Sequence, residues 1–172
     1  MTGSNKGIGF GIVKELCAKF DGIVYLTSRN ESRGISAVKE LEKLGFHPKY
    51  HQLDIDDEAS IICLQSYLKE TYGGLDILVN NAAIAFKSDS TEPFETQVTL
   101  TLRTNFFSTC NVCNILFPIL KPHARVVNVS SAAGHLLQII NKENAGVELK
   151  ENLSSNNLTE DQLSKLMHQY VE

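Results

Sequence analysis

Four short apolar runs alternate with helix-period segments through residues 1–131, and this alternation restricts the chain more than any other feature. Ile23–Thr27 (IVYLT), Lys49–Ile55, Leu75–Asn80 (LDILVN) and Ala124–Ser130 (ARVVNVS) carry the β-branched character of strands buried on both faces. Between them, Gly7–Phe20 repeats apolar residues at helical period through Ile8, Ile12, Leu16 and Phe20. Ser32–Leu44 is helical and closed by Gly45, and Asp57–Thr71 opens with an acidic turn that suits the helix dipole. Phe94–Leu116 predicts one long helix, stopped near Pro118. A β-α alternation of this kind implies an α/β chain, a doubly wound, Rossmann-like parallel sheet with helices on both faces. Such a sheet needs a strand before its first helix. Met1-Thr2-Gly3 already reads as the turn, so the expectation is a sheet whose first strand is missing.

From Ala132 the pattern changes. Leu136–Ile140 is apolar, Asn141–Asn157 is polar with a weak helical pattern, and Thr159–Val171 is a helix. Thr159 and Gln162 form a capping-box pair there, with Leu163, Leu166, Met167 and Tyr170 on one face. Residues 1–131 are therefore expected to form an incomplete dinucleotide-binding domain, and 132–172 a helical, insertion-like segment of the same domain. The chain is 42% apolar and 21% charged with a net charge of −4, as in a globular domain without a basic stripe for nucleic acid. No apolar run reaches the ~18 residues needed to span a bilayer, and no signal peptide is visible; a cytoplasmic location is expected. Cys17, Cys63, Cys110 and Cys113 are expected to be buried or half-buried reduced thiols. Cys110-x-x-Cys113 has no second Cys/His pair at zinc spacing, and the five histidines show none, so no metal is expected.

The chemistry lies at the ends of these elements. Gly3, Gly7 and Gly9 in T-G-S-N-K-G-I-G precede a helix, whose N-terminus offers unpaired N–H groups to a pyrophosphate. Asn80-Asn81-Ala82-Ala83 follows one strand, Asn128-Val129-Ser130-Ser131 closes another, and Asn105 lies in T-N-F-F on the long helix. Each set falls where ligands meet the carboxyl ends of parallel strands.

Together these motifs resemble the short-chain dehydrogenase/reductase family, over the whole chain. G-S-N-K-G-I-G, Y-H-Q-L-D-I-D-D, Y-G-G-L-D-I-L-V-N-N, I-A-F-K and R-V-V-N-V-S-S are similar to the animal monomeric NADPH carbonyl reductases. The resemblance implies a cofactor-binding set of Thr2, Gly3, Asn5, Lys6, Gly7, Ile8, Gly9, Arg29, Arg33, Asp54, Ile55 and Asn81. It implies that Ser131, with Ser130 as competitor, polarises the carbonyl, and that Asn105 bends its helix and holds a water of a proton relay; a purely structural Asn105 is the alternative. Phe86, Lys87 and Gln97 match positions near the substrate mouth and a glutathione-binding surface. Two departures stand out. Ala83 replaces the glycine of N-N-A-G. The family's Tyr-x-x-x-Lys is absent, because Tyr25, Tyr50, Tyr67, Tyr72 and Tyr170 all lack a lysine four residues on.

NAD-specific sites end the second strand on an acid that holds the ribose hydroxyls. Here that strand ends Thr27-Ser28-Arg29-Asn30, with Arg33 and Lys6 nearby, which suits the 2′-phosphate of NADPH. Arg33 as a solvated helix residue, and Asp54 as a helix cap instead of an adenine partner, remain open. A methyltransferase would need the missing acid and none of the paired asparagines and serines. The expected function is NADPH-dependent reduction of ketones, aldehydes or quinones by a monomeric full-length parent, with a catalytically dead product that binds nucleotide or a partner as the alternative for 1–172.

Overall fold

The computed structural model describes residues 1–139 and 144–169. Their elements run α1 (Gly7–Lys19), β1 (Tyr25–Ser28), α2 (Glu31–Lys43), β2 (Lys49–Gln52), α3 (Glu58–Tyr72) and β3 (Leu75–Asn80). After α4 (Phe94–Leu102) come a π-helical segment (Arg103–Ser108), α5 (Thr109–Leu116), a short 3-10 turn and β4 (Leu120–Asn128). The last helices are α6 (Asn144–Ser154) and α7 (Glu160–Gln169). The α/β alternation and parallel pairing expected from the sequence are both present.

Local chemistry sets the element ends. The Asn30 side chain accepts from the Arg33 N–H at 2.9 Å and starts α2. Gly45, just after the C-cap Leu44, takes φ +84°, a conformation that costs other residues about 1–2 kcal/mol. Asp57 starts α3 by accepting from the Ala59 N–H at 3.1 Å.

Contacts divide the chain into two compact units, Met1–Ser90 with Leu100–Val129, and Thr91–Thr99 with Ser130–Glu172. In the first unit β1 pairs in parallel with β2, Tyr25 opposite Lys49 through Ser28 opposite Gln52. β3 pairs in parallel with β4 up to Asn80 opposite Asn128, with a break in register between Leu75 and Ile77. β4 begins at Leu120, ahead of the expected Ala124, because chain is inserted at that break. His123 there has φ 66°, and its carbonyl accepts from Arg125 Nη1 at 3.0 Å.

Among the described residues the two strand pairs do not join. The opening of the chain runs between them: Met1 N donates to the Tyr25 carbonyl at 3.1 Å, Thr2 N to Val79 at 3.0 Å and Ser4 N to Thr27 at 2.9 Å. Beside this bridge lies an apolar cavity of about 80 Å³, whose walls include Leu16, Val24, Leu64, Leu78 and Leu116. At one edge of this region the Tyr25 hydroxyl bonds those of Tyr67 (2.6 Å) and Tyr72 (2.9 Å), and Lys49 donates to Tyr72 at 2.9 Å. Burial, then these bonds, raise the Tyr25 phenol above the ordinary tyrosine range, whereas Lys49 lowers that of Tyr72.

Two apolar clusters follow the two strand pairs. Val13, Val24, Leu26, Ala37 and Leu41 join α1, β1 and α2. Ile61, Leu64, Leu68, Leu78, Val112 and Leu116 join α3, β3 and α5. A fully buried leucine such as Leu26 or Leu41 stabilises by about 1.5–3 kcal/mol. Two expectations change here. The buried face of α1 centres on Val13; Ile8 is 68% exposed and Phe20 is exposed as well, because Ile8 falls at the mouth of a pocket. Cys63 is exposed, since α3 buries its face through Ile61, Leu64 and Leu68 and Cys63 falls beside that stripe.

The single helix expected over Phe94–Leu116 is interrupted by the π-helical segment, which contains Asn105. In the second unit, Thr159 N donates to Gln162 Oε1 at 2.9 Å and Gln162 N to Thr159 Oγ1 at 3.2 Å, the expected capping box. Leu163, Leu166 and Met167 are half-buried along α7. Ile140 and Tyr170 lie outside the described residues. No described helix is long and apolar enough to cross a membrane.

Candidate functional site

The turn between residues 1 and 9 brings the backbone close to its neighbours. Gly3 has φ +58°, and a Cβ there would lie 2.7 Å from the Ala82 Cα. A Cβ on Gly9 would lie 2.6 Å from Asn81 Nδ2 and 2.8 Å from the Gly3 carbonyl oxygen, so only glycine lets the helix start so near the loop. Lys6 flanks α1 in extended conformation and no side chain caps the helix. The first-turn N–H groups are thus left for a ligand, with the positive end of the helix dipole behind them.

These residues form one wall of a pocket of about 420 Å³, a volume in the range of small-molecule sites, ~300–1,000 Å³. Gly3, Asn5, Lys6, Gly7, Ile8 and Gly9 line it on one side. Arg29, Asp54, Ile55 and Asn81 line it on the others. Ten of the twelve expected cofactor-binding residues therefore meet in one cavity of the first unit. The other two are elsewhere. Thr2 is 3% exposed and lies under the turn, where its Oγ1 accepts from the N–H groups of Asn81 and Ala82, both at 2.9 Å. Arg33 is exposed on α2 and does not line the pocket.

Asn81 locks the floor. Its Nδ2 donates to the carbonyls of Thr2 and Gly3, each at 3.0 Å. Asp54 Oδ1 accepts from the Asp56 N–H at 3.1 Å, while the cap of α3 falls to Asp57; Asp54 thus shapes the turn at the pocket edge and is not the helix cap. Asn105 Oδ1 accepts from the Ile84 N–H at 2.8 Å and its Nδ2 donates to the Ile84 carbonyl at 2.9 Å. This two-point bond fixes the strand exit after Asn80-Asn81-Ala82-Ala83. Ala83 lies on the pocket wall without a left-handed backbone, so the change from glycine brings no strain.

Phe86 is half-buried and Lys87 exposed, and neither lines the pocket. In the second unit, Gln97 Nε2 donates to the Glu92 carbonyl at 2.8 Å. Ser131 starts a 3-10 turn, its Oγ accepting from the Ala133 N–H at 3.2 Å, and it is exposed. Pocket residues outside the expected set are Ser28, Leu53, Asp56, Ala82, Ala83, Ile84 and Thr104. Ser28 and Ala82 adjoin motif residues, so adjacency was an available signal. Asp56 and Thr104 likewise adjoin the expected Ile55 and Asn105, but the bond between the two spans 48 residues and has no local signal.

The arrangement fits a dinucleotide: an uncapped helix N-terminus behind glycines that admit no Cβ, two cations at Lys6 and Arg29, and a carboxylate at Asp54. A model of the short chain dehydrogenase family matches residues 1–142. The chain is 52% identical, over its full length, to NADPH carbonyl reductase 3 of Rattus norvegicus, and spans 61% of that relative's length. Among solved structures, menthone neomenthol reductase from Mentha piperita superposes with a TM-score of 0.84 at 31% identity, over 99% of this chain and 71% of that one. A short chain dehydrogenase from Burkholderia cenocepacia J2315 in complex with NADP gives a TM-score of 0.64 at 27% identity, over 87% of this chain and 60% of that one.

Proposed function

Because this chain belongs to the short-chain dehydrogenase family, we propose that the protein containing it reduces ketones, aldehydes or quinones with NADPH. The observation that carries the reading is the pocket in which Lys6, Arg29 and Asp54 surround an uncapped helix start. Identity to a carbonyl reductase named for NADPH supports the cofactor, as does the NADP complex of a structural neighbour.

When bound, NADPH supplies the hydride. The chain's own residues do the rest. The first-turn N–H groups of α1 and Lys6 hold the pyrophosphate. Arg29 pairs with the 2′-phosphate, as its planar fork allows. Asn81 keeps the glycine turn closed against the pocket floor, and Ile8 and Ile55 give the apolar sides. Ser131 donates a hydrogen bond to the substrate carbonyl, helping most as negative charge develops on that oxygen. Asn105 orders the relay that returns a proton. Phe86, Lys87 and Gln97 border the substrate mouth, where glutathione or its conjugates are accepted. Residues 132–172 form an insertion on the dinucleotide-binding region 1–131 and keep the parent a cytoplasmic monomer; a dimer mass by light scattering would rule out the monomer.

The test is the ratio of kcat/KM for NADPH and NADH in the full-length protein. A strong preference for NADPH is expected, and Arg29→Asp should remove most of it, by about 10²-fold if the lost charge-assisted pair is worth ~3 kcal/mol. Equal values for the two cofactors in the unaltered protein would sink the proposal. The serine assignment has its own check. Ser131→Ala should lower kcat by about 10²-fold with little change in NADPH affinity. A larger loss in Ser130→Ala would move the role by one residue.

A further inference from the structure

Three donors from the π-helical segment converge on one carboxylate that the reaction scheme above does not use. Asp56 Oδ2 accepts from Thr104 Oγ1 at 2.9 Å, and Asp56 Oδ1 from Ser108 Oγ at 2.6 Å. Arg103 Nη2 lies 3.5 Å from Asp56 Oδ2. Thr104 and Ser108 are 6% and 8% exposed. Mid-helix hydroxyls ordinarily bond back to their own helix; these two instead reach an aspartate that, like Thr104, lines the pocket. A π-helical turn is rare, occurs mostly as a single turn inside an α-helix, and recurs at functional sites.

We infer that Asp56 is a positioning residue: it holds the π-turn of Arg103–Ser108 in register, so that Asn105 clamps Ile84 at the pocket. The chain of contacts is continuous. The carboxylate grips Thr104 and Ser108 on either side of Asn105. Asn105 makes its two bonds to the Ile84 backbone, and Ala83 and Ile84 form the wall. An α-helical register would turn residues after the insertion by about 100° each relative to their present places, breaking either the grip at Asp56 or the clamp at Ile84. The carboxylate suits the task because it accepts from several donors at once.

The inference rests on the proposed reaction for its kinetic consequence but not for its structural one, and two measurements keep these apart. In the full-length protein, Asp56→Ala should lower kcat by about tenfold or more, since small misplacements of a reacting group cost up to ~10²-fold. NADPH affinity, read by fluorescence titration, should stay within about twofold. Asp56→Asn, which keeps one acceptor oxygen, should recover part of the loss. The double change Thr104→Val, Ser108→Ala should reproduce the Asp56→Ala defect and add little to it, as residues acting as a unit do. Amide hydrogen exchange without cofactor should then quicken at Ile84 and across 103–108 in Asp56→Ala, and stay unchanged at Leu26 in β1. Loss of NADPH affinity in step with kcat would overturn the inference by making Asp56 a cofactor ligand. Unchanged exchange at Ile84 would overturn it too. If the unaltered protein reduced no carbonyl, the proposed reaction would fall, and exchange at Ile84 would still decide the role of Asp56.

Discussion

Residues 1–172 expressed alone are expected to reduce no carbonyl with NADPH, with turnover at least ~10²–10⁴-fold below that of the full-length protein, the usual contribution of general acid–base catalysis. The family resemblance assigns proton delivery to a Tyr-x-x-x-Lys pair, which this stretch of sequence does not contain. The structure removes the obvious substitutes. Tyr25, Tyr67 and Tyr72 bond one another through their hydroxyls, and Tyr50 donates to the Ser28 carbonyl at 3.2 Å. None of the four lines the pocket beside the glycine turn. Lys49 and Tyr72 do form a lysine–tyrosine pair at 2.9 Å with the phenol lowered, yet neither residue borders that pocket. Tyr170 lies outside the described residues. The measurement is NADPH consumption with a reactive quinone, alongside NADPH binding. Binding without turnover fits the reading. Turnover close to that of the full-length protein would mean that Tyr170 or Lys87 delivers the proton.

What could be read from the sequence divides along a physical line. The strands, the first three helices, the cap after Leu44 and the capping box at Thr159 follow from periodicity and end chemistry, which act within a few residues. That the glycine turn and the strand ends line one pocket followed as well, because they are local motifs that the parallel topology must bring together. The π-turn did not, although Phe94–Leu116 has the right apolar spacing. Its cause is a carboxylate 48 and 52 residues away in sequence, at Thr104 and Ser108 respectively, and no helical pattern encodes that. The same holds for Thr2. A threonine in a glycine motif suggests contact with the ligand, whereas its hydroxyl is used by two amides of the next motif. For Ile8 the apolar spacing misled because an exposed isoleucine at a pocket mouth has the same identity as one in a core. Gly45 and Gly9 illustrate the contrast in miniature. The first is explained by the helix it ends, the second only by Asn81, far along the chain.

Extending the chain before Met1 by a short apolar, β-branched segment is expected to stabilise the fold more than any single substitution within it. Among the described residues β1 and β3 each pair on one side only, so each presents an open ladder edge there, and the terminal ammonium of Met1 and the amides of Thr2 and Ser4 already bond β1, β3 and β1 in turn. That alternation is how a strand sits between two parallel neighbours. β3 has six residues and Thr2 bonds its fifth, Val79, so about four more residues at ~3.3 Å each would reach the start of β3. Side chains on such a segment would enter the cavity of about 80 Å³. At ~24 cal/mol per Å³, filling it is worth about 2 kcal/mol, and each new ladder bond adds roughly 0.5–1.5 kcal/mol. Against a total stability of ~5–15 kcal/mol this is a large share. The cavity alone should raise Tm by roughly 4–8 °C for a chain of this size. It should also reduce aggregation, since unpaired edges recruit other chains. Thermal unfolding of the chain with a valine- and isoleucine-rich extension should be compared with that of a glycine–serine extension of equal length. The apolar extension is expected to melt higher and bind less of a hydrophobic dye. Equal melting of the two would show that the gap between β1 and β3 closes by itself in solution, and that no inserted strand is needed to support the glycine turn.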